Sequence, residues 1–189
     1  LFPFLIGWLM FFFDKLFGSS KREQEAPAPA ASPVAKTTTT PSSAAPGTRI
    51  QYNPELIEHF KEDHSKLLKL FSAIHTFAEH GDVKRTAEYL MDFRFALQGH
   101  LLTENVRLYV YLERKLGNDP STYELIHGFR HEMDTIGKTV VHFLEQYREL
   151  ETHPHLLQTF ITDLDAIGKV LVKRIRNEEE ILYPLYAPV

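Results

Sequence analysis

The stretch that decides the fold runs from Gln98 to Leu112 and reads QGHLLTENVRLYVYL. On an α-helix of about 3.6 residues per turn, His100 and Glu104 fall on one face. Leu97 and Leu108 share that face, so an imidazole and a carboxylate stand in an apolar stripe. Burying such a pair is unfavourable by several kcal/mol unless the groups bind each other, a charge or a metal. The other helices are therefore expected to bring partners for this pair.

Apolar residues recur at three- and four-residue spacing through four segments from Asn53 onward. The first predicted helix begins at Asn53-Pro54 and ends at Gly81, and the second runs from Val83 to Gly117. The third opens with the capping-box pair Ser121 and Glu124. The fourth starts at Thr152-His153-Pro154 and ends at Pro184. Long helices with short connections predict an all-α fold, an antiparallel up-down-up-down four-helix bundle. No segment shows a convincing strand pattern.

Residues 1–18 begin with an apolar run, LFPFLIGWLMFFF, which is shorter than the about 20 residues that span a bilayer. Basic residues follow this run instead of preceding it, which disfavours a secretory signal. Two interpretations stay open. In one, residues 1–17 are a membrane anchor or a surface-lying segment. In the other, the protein starts at Met10, MFFFDKLFG is a short amphipathic tip and residues 1–9 are an upstream extension. Both predict a cytoplasmic domain, in the first case tethered to the inner face of the membrane.

The segment 19–50 consists largely of Ala, Pro, Ser, Thr and Lys. Such a composition buries too little apolar surface to offset the entropy of ordering the chain. We therefore predict a disordered linker here, followed by a folded domain over residues 51–189.

Composition excludes several classes of function. With 189 residues, 43% of them hydrophobic, the chain has room for one ordinary domain plus appendages. Its net charge is -4, and acidic and basic residues are interspersed along the helices. The chain therefore lacks the clustered basic face that binding of a nucleic acid requires. The chain has no cysteine, so a bound metal would take His, Asp or Glu ligands. No Ser-His-Asp arrangement is apparent, which disfavours a hydrolase.

Projecting the helices at about 100° per residue separates inward from outward polar side chains. His100 and Glu104 face the core from the second helix. His64 faces it from the first helix, and Arg174 and Glu178 face it from the fourth. We therefore expect these side chains to meet in one buried layer.

The third helix offers His127 and His131, with an H-x-x-x-H spacing that is used by metal ligands on helices. The apolar stripe of this helix leaves both residues outside the core, so we expect a solvent-facing pair. Met133 is the residue of this helix that should reach the buried layer.

Two further clusters have simpler interpretations. The run Glu178-Glu179-Glu180 is interpreted as one inward carboxylate and two solvated ones. Tyr109, Tyr111 and Tyr183 project near the layer, where core packing is favoured over a redox or proton-relay role.

In this order and spacing, the residues from about Asn53 to Pro184 resemble the hemerythrin, or HHE cation-binding, family. The likeness is carried by Asp63-His64, by His100-x-x-x-Glu104 with Leu108-Tyr109, by Phe129-x-x-Glu132-Met133-x-x-Ile136, and by Arg174-x-x-x-Glu178-Glu179-x-x-Leu182-Tyr183-Pro184. The resemblance implies a four-helix bundle whose core histidines and carboxylates hold a non-haem, usually di-iron, centre. Family members use it for oxygen binding, for iron or oxygen sensing, or for related redox tasks.

The chain departs from the family pattern at Met133 and at Arg174, where the family has histidines. The remaining ligand candidates are His64, His100, Glu104 and Glu178, a set that suits iron, zinc or manganese. Two versions stay open. In one, the site binds one or two iron ions. In the other, no metal binds, because Arg174 lies between Glu104 and Glu178 and supplies the positive charge.

The resemblance favours a binding or sensing module, with a metal ion or O2 as its ligand, and not an enzyme. A di-iron oxidase or peroxidase would need a fuller ligand shell. The alternative is a metal-free module that binds an unknown protein partner through its surface. The bacterial regulators that sequester the housekeeping sigma factor are similar to this chain around Gly99-His100.

Overall fold

A computed structural model describes residues 44–188, and in this part the chain forms four helical rods joined by short connections. The rods are α1 (Leu56–Glu79); α2 (Val83–Thr103) continued by a π-helical segment (Glu104–Tyr109) and α3 (Val110–Leu116); α4 (Pro120–Gln146); and α5 (Leu157–Asn177) continued by a second π-helical segment (Glu178–Leu182) and a 3-10 turn (Tyr183–Leu185). Two further 3-10 turns, Leu150–Thr152 and Pro154–Leu156, connect α4 to α5. The predicted all-α four-helix bundle is confirmed.

The connection between α1 and α2 is short because two local signals coincide. Gly81 has a φ of 73°, a left-handed conformation that favours glycine and ends a helix. The backbone N–H of Asp82 then reaches back to the carbonyl of Phe77 (2.9 Å). The carboxylate of Asp82 also accepts from the backbone N–H of Arg85 (3.1 Å), so it caps the start of α2.

The predicted capping box of Ser121 and Glu124 is wrong. The helix α4 begins at Pro120, which suits a first helical position because it needs no N–H there. Asp119 is therefore the cap, and its Oδ2 accepts from the backbone N–H of Thr122 (2.9 Å) and from the hydroxyl of Ser121 (2.9 Å).

We expect the substitution Asp119→Ala to lower the free energy of unfolding by about 1 kcal/mol, because it removes this cap. Glu124→Ala is the matched control: its side chain is exposed, and we expect a change within about 0.5 kcal/mol. Urea denaturation of the two variants checks the assignment. A larger loss in Glu124→Ala than in Asp119→Ala would contradict it.

Residues 44–50, assigned above to the linker, form a turn beside the bundle. An isolated bridge pairs Ala44 with Gln51, the one strand-like contact in residues 44–188. The N–H of Ala45 donates to the carbonyl of Ile50 (2.8 Å), and Ala45 is buried in a core cluster with Tyr186. The predicted N-terminal segment and the rest of the predicted linker lie outside the described residues. None of the helices between residues 44 and 188 has the length and apolar character needed to cross a membrane.

The bundle interior is apolar apart from one polar layer. Within the described residues, six polar or charged side chains are buried, namely His64, Thr86, His100, Glu104, Arg174 and Glu178. The hydroxyl of Thr86 is satisfied locally by the carbonyl of Asp82 (2.7 Å). The other five are the side chains that the helical projection turned inward, so their predicted burial is confirmed.

Candidate metal centre

The polar layer brings together groups from three of the four rods. His64 comes from α1, His100 from α2, Glu104 from the first π-helical segment and Glu178 from the second. Each of these side chains is at most 3% exposed. Ligand atoms of His64, His100 and Glu178 lie within 4.8 Å of one another, close enough to share one ion. The structure thus brings three of the four predicted ligands within reach of one ion, whereas Glu104 lies outside this group. The role of all four as metal ligands stays a prediction.

Both glutamates stand at the first position of a π-helical segment. The two segments share a sequence pattern, a Glu followed at the fourth and fifth positions by Leu-Tyr: Glu104 with Tyr109, and Glu178 with Tyr183. In a π-helical turn the backbone bonds residue i to residue i+5, so each Tyr lies one turn beyond its Glu. Both tyrosines are buried beside the polar layer. A projection at 3.6 residues per turn does not predict these segments.

Each histidine has a carboxylate behind it. Nδ1 of His64 lies 2.8 Å from Oε1 of Glu179, and Nδ1 of His100 lies 3.5 Å from Oδ2 of Asp63. An ionised carboxylate only accepts hydrogen bonds, so Nδ1 of His64 carries a hydrogen that it donates to Glu179. Nδ1 of His100 faces Asp63 without a hydrogen bond among the described residues. Metal-binding histidines are commonly oriented in this way.

Sequence reasoning missed both carboxylates. Glu179 was assigned to solvent, but it is half-buried against His64, and that assignment is wrong. Asp63 was noted only as part of the family pattern. Both could have been found from their positions next to predicted ligands, since Asp63 precedes His64 and Glu179 follows Glu178.

The charged groups of the polar layer differ in how far their neighbours compensate the unfavourable effect of burial. Nε2 of His64 lies 3.2 Å from Oε2 of Glu178. Burial opposes a charge on His64, but the carboxylates of Glu178 and Glu179 outweigh it and raise the pKa of His64. Burial likewise opposes the charge of Glu178, but hydrogen bonding to His64 and the charge of Arg174 lower the pKa of Glu178.

Glu104 is compensated only in part, by the charge of Arg174 and the hydroxyl of Tyr183. Burial, followed by the negative charge of Glu178, holds the pKa of Glu104 well above its usual range. Its Oε2 is buried and has no hydrogen-bond partner within the described residues. Such an atom in a native core calls for an explanation, and a bound ion is one.

All three side-chain nitrogen atoms of Arg174 donate hydrogen bonds. Its Nε donates to Oε1 of Glu178 (2.5 Å), its Nη1 donates to the carbonyl of Phe129 (3.0 Å) and to Oε2 of Glu132 (3.1 Å), and its Nη2 donates to the hydroxyl of Tyr109 (2.5 Å). Arg174 was predicted to lie between Glu104 and Glu178, and only the contact with Glu178 is observed. No hydrogen bond or ion pair joins it to Glu104 in the part of the chain that the structure describes, because its other donors reach α4 and Tyr109.

The nearest partner of Glu104 is a tyrosine. The hydroxyl of Tyr183 donates to Oε1 of Glu104 over 3.4 Å and lies 3.3 Å from Nε2 of His64. Burial and the charge of Glu104 raise the pKa of Tyr183. The hydroxyl of Tyr111, which was also expected near the layer, instead donates to the carbonyl of Ala187 (2.9 Å).

The positions of the two missing histidines border a small cavity. Met133 and Arg174 line this cavity of about 40 Å³ together with His64, His100 and Glu178, and its other walls are mainly apolar. Met133 therefore reaches the polar layer as predicted. His127 and His131 are exposed on α4, which confirms that this pair faces solvent.

Two imidazoles and two carboxylates buried at the centre of a four-helix bundle define a class of cation-binding helical proteins. The family model described as "Hemerythrin HHE cation binding domain" matches residues 55–186, almost the whole of the bundle. The chain belongs to this family, which confirms the resemblance inferred from the sequence. No curated protein and no solved structure gives a significant match.

Proposed function

We propose that this chain is a cation-binding module that holds a single iron ion through His64, His100, Glu104 and Glu178. The observation that carries this proposal is the buried cluster of His64, His100 and Glu178, whose ligand atoms lie within 4.8 Å of one another and whose two rings are oriented with Nδ1 toward a carboxylate. A histidine that only packs in a core needs no such orientation. We propose a role in binding or sensing and not in catalytic turnover.

The donor set fits this ion. Two imidazole nitrogens and two carboxylates suit iron among the common divalent metals. The partnerless Oε2 of Glu104 is an acceptor that a cation would satisfy. When bound, iron would supply a reversible redox couple and affinity for small ligands such as O2.

The chain's own residues account for the restriction to a single ion. Arg174 lies where the family has a histidine, and it presents a fixed positive charge to Oε1 of Glu178. A second cation beside this guanidinium would be repelled in a buried, low-dielectric site. Phe129 and Glu132 of α4 hold the guanidinium in place.

A metal-free interaction module is the second candidate, and the ion pair between Arg174 and Glu178 favours it. That ion pair leaves Glu104 without a compensating contact from Arg174. Cation binding therefore has the better support. The protein partner, the cytoplasmic location and a membrane tether through residues 1–17 stay predictions.

The test is iron binding by the full chain, purified without a metal-affinity tag and titrated against a competing chelator. We expect His64→Ala to weaken iron binding more than about 100-fold, since a ligand should matter more than its supporting carboxylate. His127→Ala, which removes an exposed histidine, is the matched control and should bind as the wild type does. Equal affinities in the two variants would contradict the proposal.

The carboxylate behind His64 gives a further prediction. We expect Glu179→Gln to weaken iron binding about 10- to 100-fold. The uncharged amide holds the imidazole of His64 less firmly than the carboxylate does, and it leaves this imidazole a less basic ligand. Glu180→Gln changes the exposed neighbour in the same way and should leave the affinity unchanged. The same chelator competition measures both variants, and the idea fails if they behave alike.

A further inference from the structure

The hydroxyl of Tyr183 lies among the proposed ligands, and it makes no close contact with them. Tyr183 is 3% exposed, and its oxygen lies 3.3 Å from Nε2 of His64 and 3.4 Å from Oε1 of Glu104. Hydrogen bonds from a hydroxyl to an oxygen are usually about 2.7–2.8 Å long. Hydrogen bonding alone therefore explains the position of this oxygen poorly.

Coordination of a metal ion explains the position of the Tyr183 oxygen better. Ligand atoms at about 2.0–2.1 Å from one ion, at angles of 90–109°, stand about 2.8–3.4 Å apart. The distance from Nε2 of His64 to Oε2 of Glu178 is 3.2 Å, and the two distances from the Tyr183 oxygen are 3.3 and 3.4 Å. All three fall in the range expected for neighbours in one ligand shell. The Tyr183 oxygen also connects Glu104 to His64, which share no direct hydrogen bond or ion pair among the described residues.

Comparison with Tyr109, which has the same sequence spacing from Glu104 as Tyr183 has from Glu178, supports the assignment. The hydroxyl of Tyr109 accepts from Nη2 of Arg174 (2.5 Å), so it is taken up by the guanidinium. Tyr183 faces a histidine and a carboxylate, and it makes no hydrogen bond with Arg174 among the described residues. The two related Glu-to-Tyr segments thus present one tyrosine to Arg174 and the other to the proposed ligands.

We infer that the phenol oxygen of Tyr183 is a ligand of the bound ion, and that the ion is held as ferric iron. This inference rests on the proposed single-ion site. On binding, the O–H bond of the phenol breaks, an oxygen–iron bond forms and the proton leaves to water, with no change in the oxidation state of iron supplied as Fe(III). Two carboxylates and one phenolate balance the charge of Fe(III), while Arg174 retains Glu132 as a second carboxylate partner.

The test uses the full chain loaded with iron from a ferric chelate, and its readout is optical. A phenolate bound to Fe(III) gives a charge-transfer band in the visible and phenolate vibrations in resonance Raman spectra, which ring-deuterated tyrosine shifts. We expect both signatures in the wild type and in Tyr109→Phe. We expect Tyr183→Phe to bind iron at least about 10-fold more weakly and to lose both signatures.

The outcomes separate the inference from the proposed function. Iron bound by the wild type without the phenolate signatures would overturn the inference alone, as would signatures that survive in Tyr183→Phe. A wild type that binds no iron would overturn both. If Tyr183→Phe fails to fold, signatures that persist in Tyr109→Phe support Tyr183, and their loss in a folded, iron-loaded Tyr109→Phe overturns the assignment.

Discussion

The substitution Arg174→Met is expected to lower the free energy of unfolding of the metal-free protein by about 3–5 kcal/mol. Arg174 is 2% exposed and donates to two carboxylates, a carbonyl and a hydroxyl, so its loss leaves Glu178 buried without its cationic side-chain partner. Methionine keeps a similar length without the charge. Denaturation in urea with a chelator present measures the change as a shift in midpoint.

Arg176→Met is the matched control, because Arg176 is exposed on the same helix. We expect this substitution to change the free energy of unfolding by less than about 0.5 kcal/mol. Iron should recover part of the loss in Arg174→Met, because an ion that binds only the folded state stabilises it. Equal stability of Arg174→Met and the wild type without metal would show that Arg174 does not compensate the buried carboxylates.

The double substitution Met133→His/Arg174→His is expected to raise the iron content from about one to about two ions per chain. It restores histidines where the family pattern has them, at two positions that border the same cavity. It also removes the guanidinium, which frees Oε1 of Glu178 and Oε2 of Glu132 as acceptors. Elemental analysis of the purified variant gives the count.

Met133→His alone is the control for this prediction. It adds an imidazole but leaves the positive charge of Arg174 beside the second position, so we expect the iron content to stay at about one ion per chain. A single variant that already binds two ions, or a double variant that still binds one, would contradict the role given to Arg174.

The helices could be predicted from the sequence because their apolar spacing agrees with the core. The spacing that includes Phe60, Leu67 and Ile74 predicted α1, and these residues are buried. The helix ends were less accurate. The start of α4 was placed at Ser121 because its spacing to Glu124 resembles a capping box, whereas Pro120 extends the helix back to Asp119. Local hydrogen bonds decide such ends, and they depend on one or two residues.

Within the site, the inward side chains could be predicted and their contacts could not. Helical periodicity fixes the face on which His100 or Glu178 lies, but it does not fix where a long arginine directs its donors. The π-helical segments were also beyond a projection at a constant 3.6 residues per turn, since each adds a residue to one turn. They begin at Glu104 and Glu178, so the positions of Tyr109 and Tyr183 relative to the layer depend on them.

The most direct test of the single-ion site is the iron content of the full chain, expressed in iron-supplemented medium and purified without a metal-affinity tag. Elemental analysis combined with quantitative amino-acid analysis gives the number of ions per chain. We predict about one iron ion per chain, held by the buried histidines and glutamates beside Arg174. Two ions per chain would contradict the restriction imposed by Arg174, and only traces of mixed metals would contradict cation binding itself.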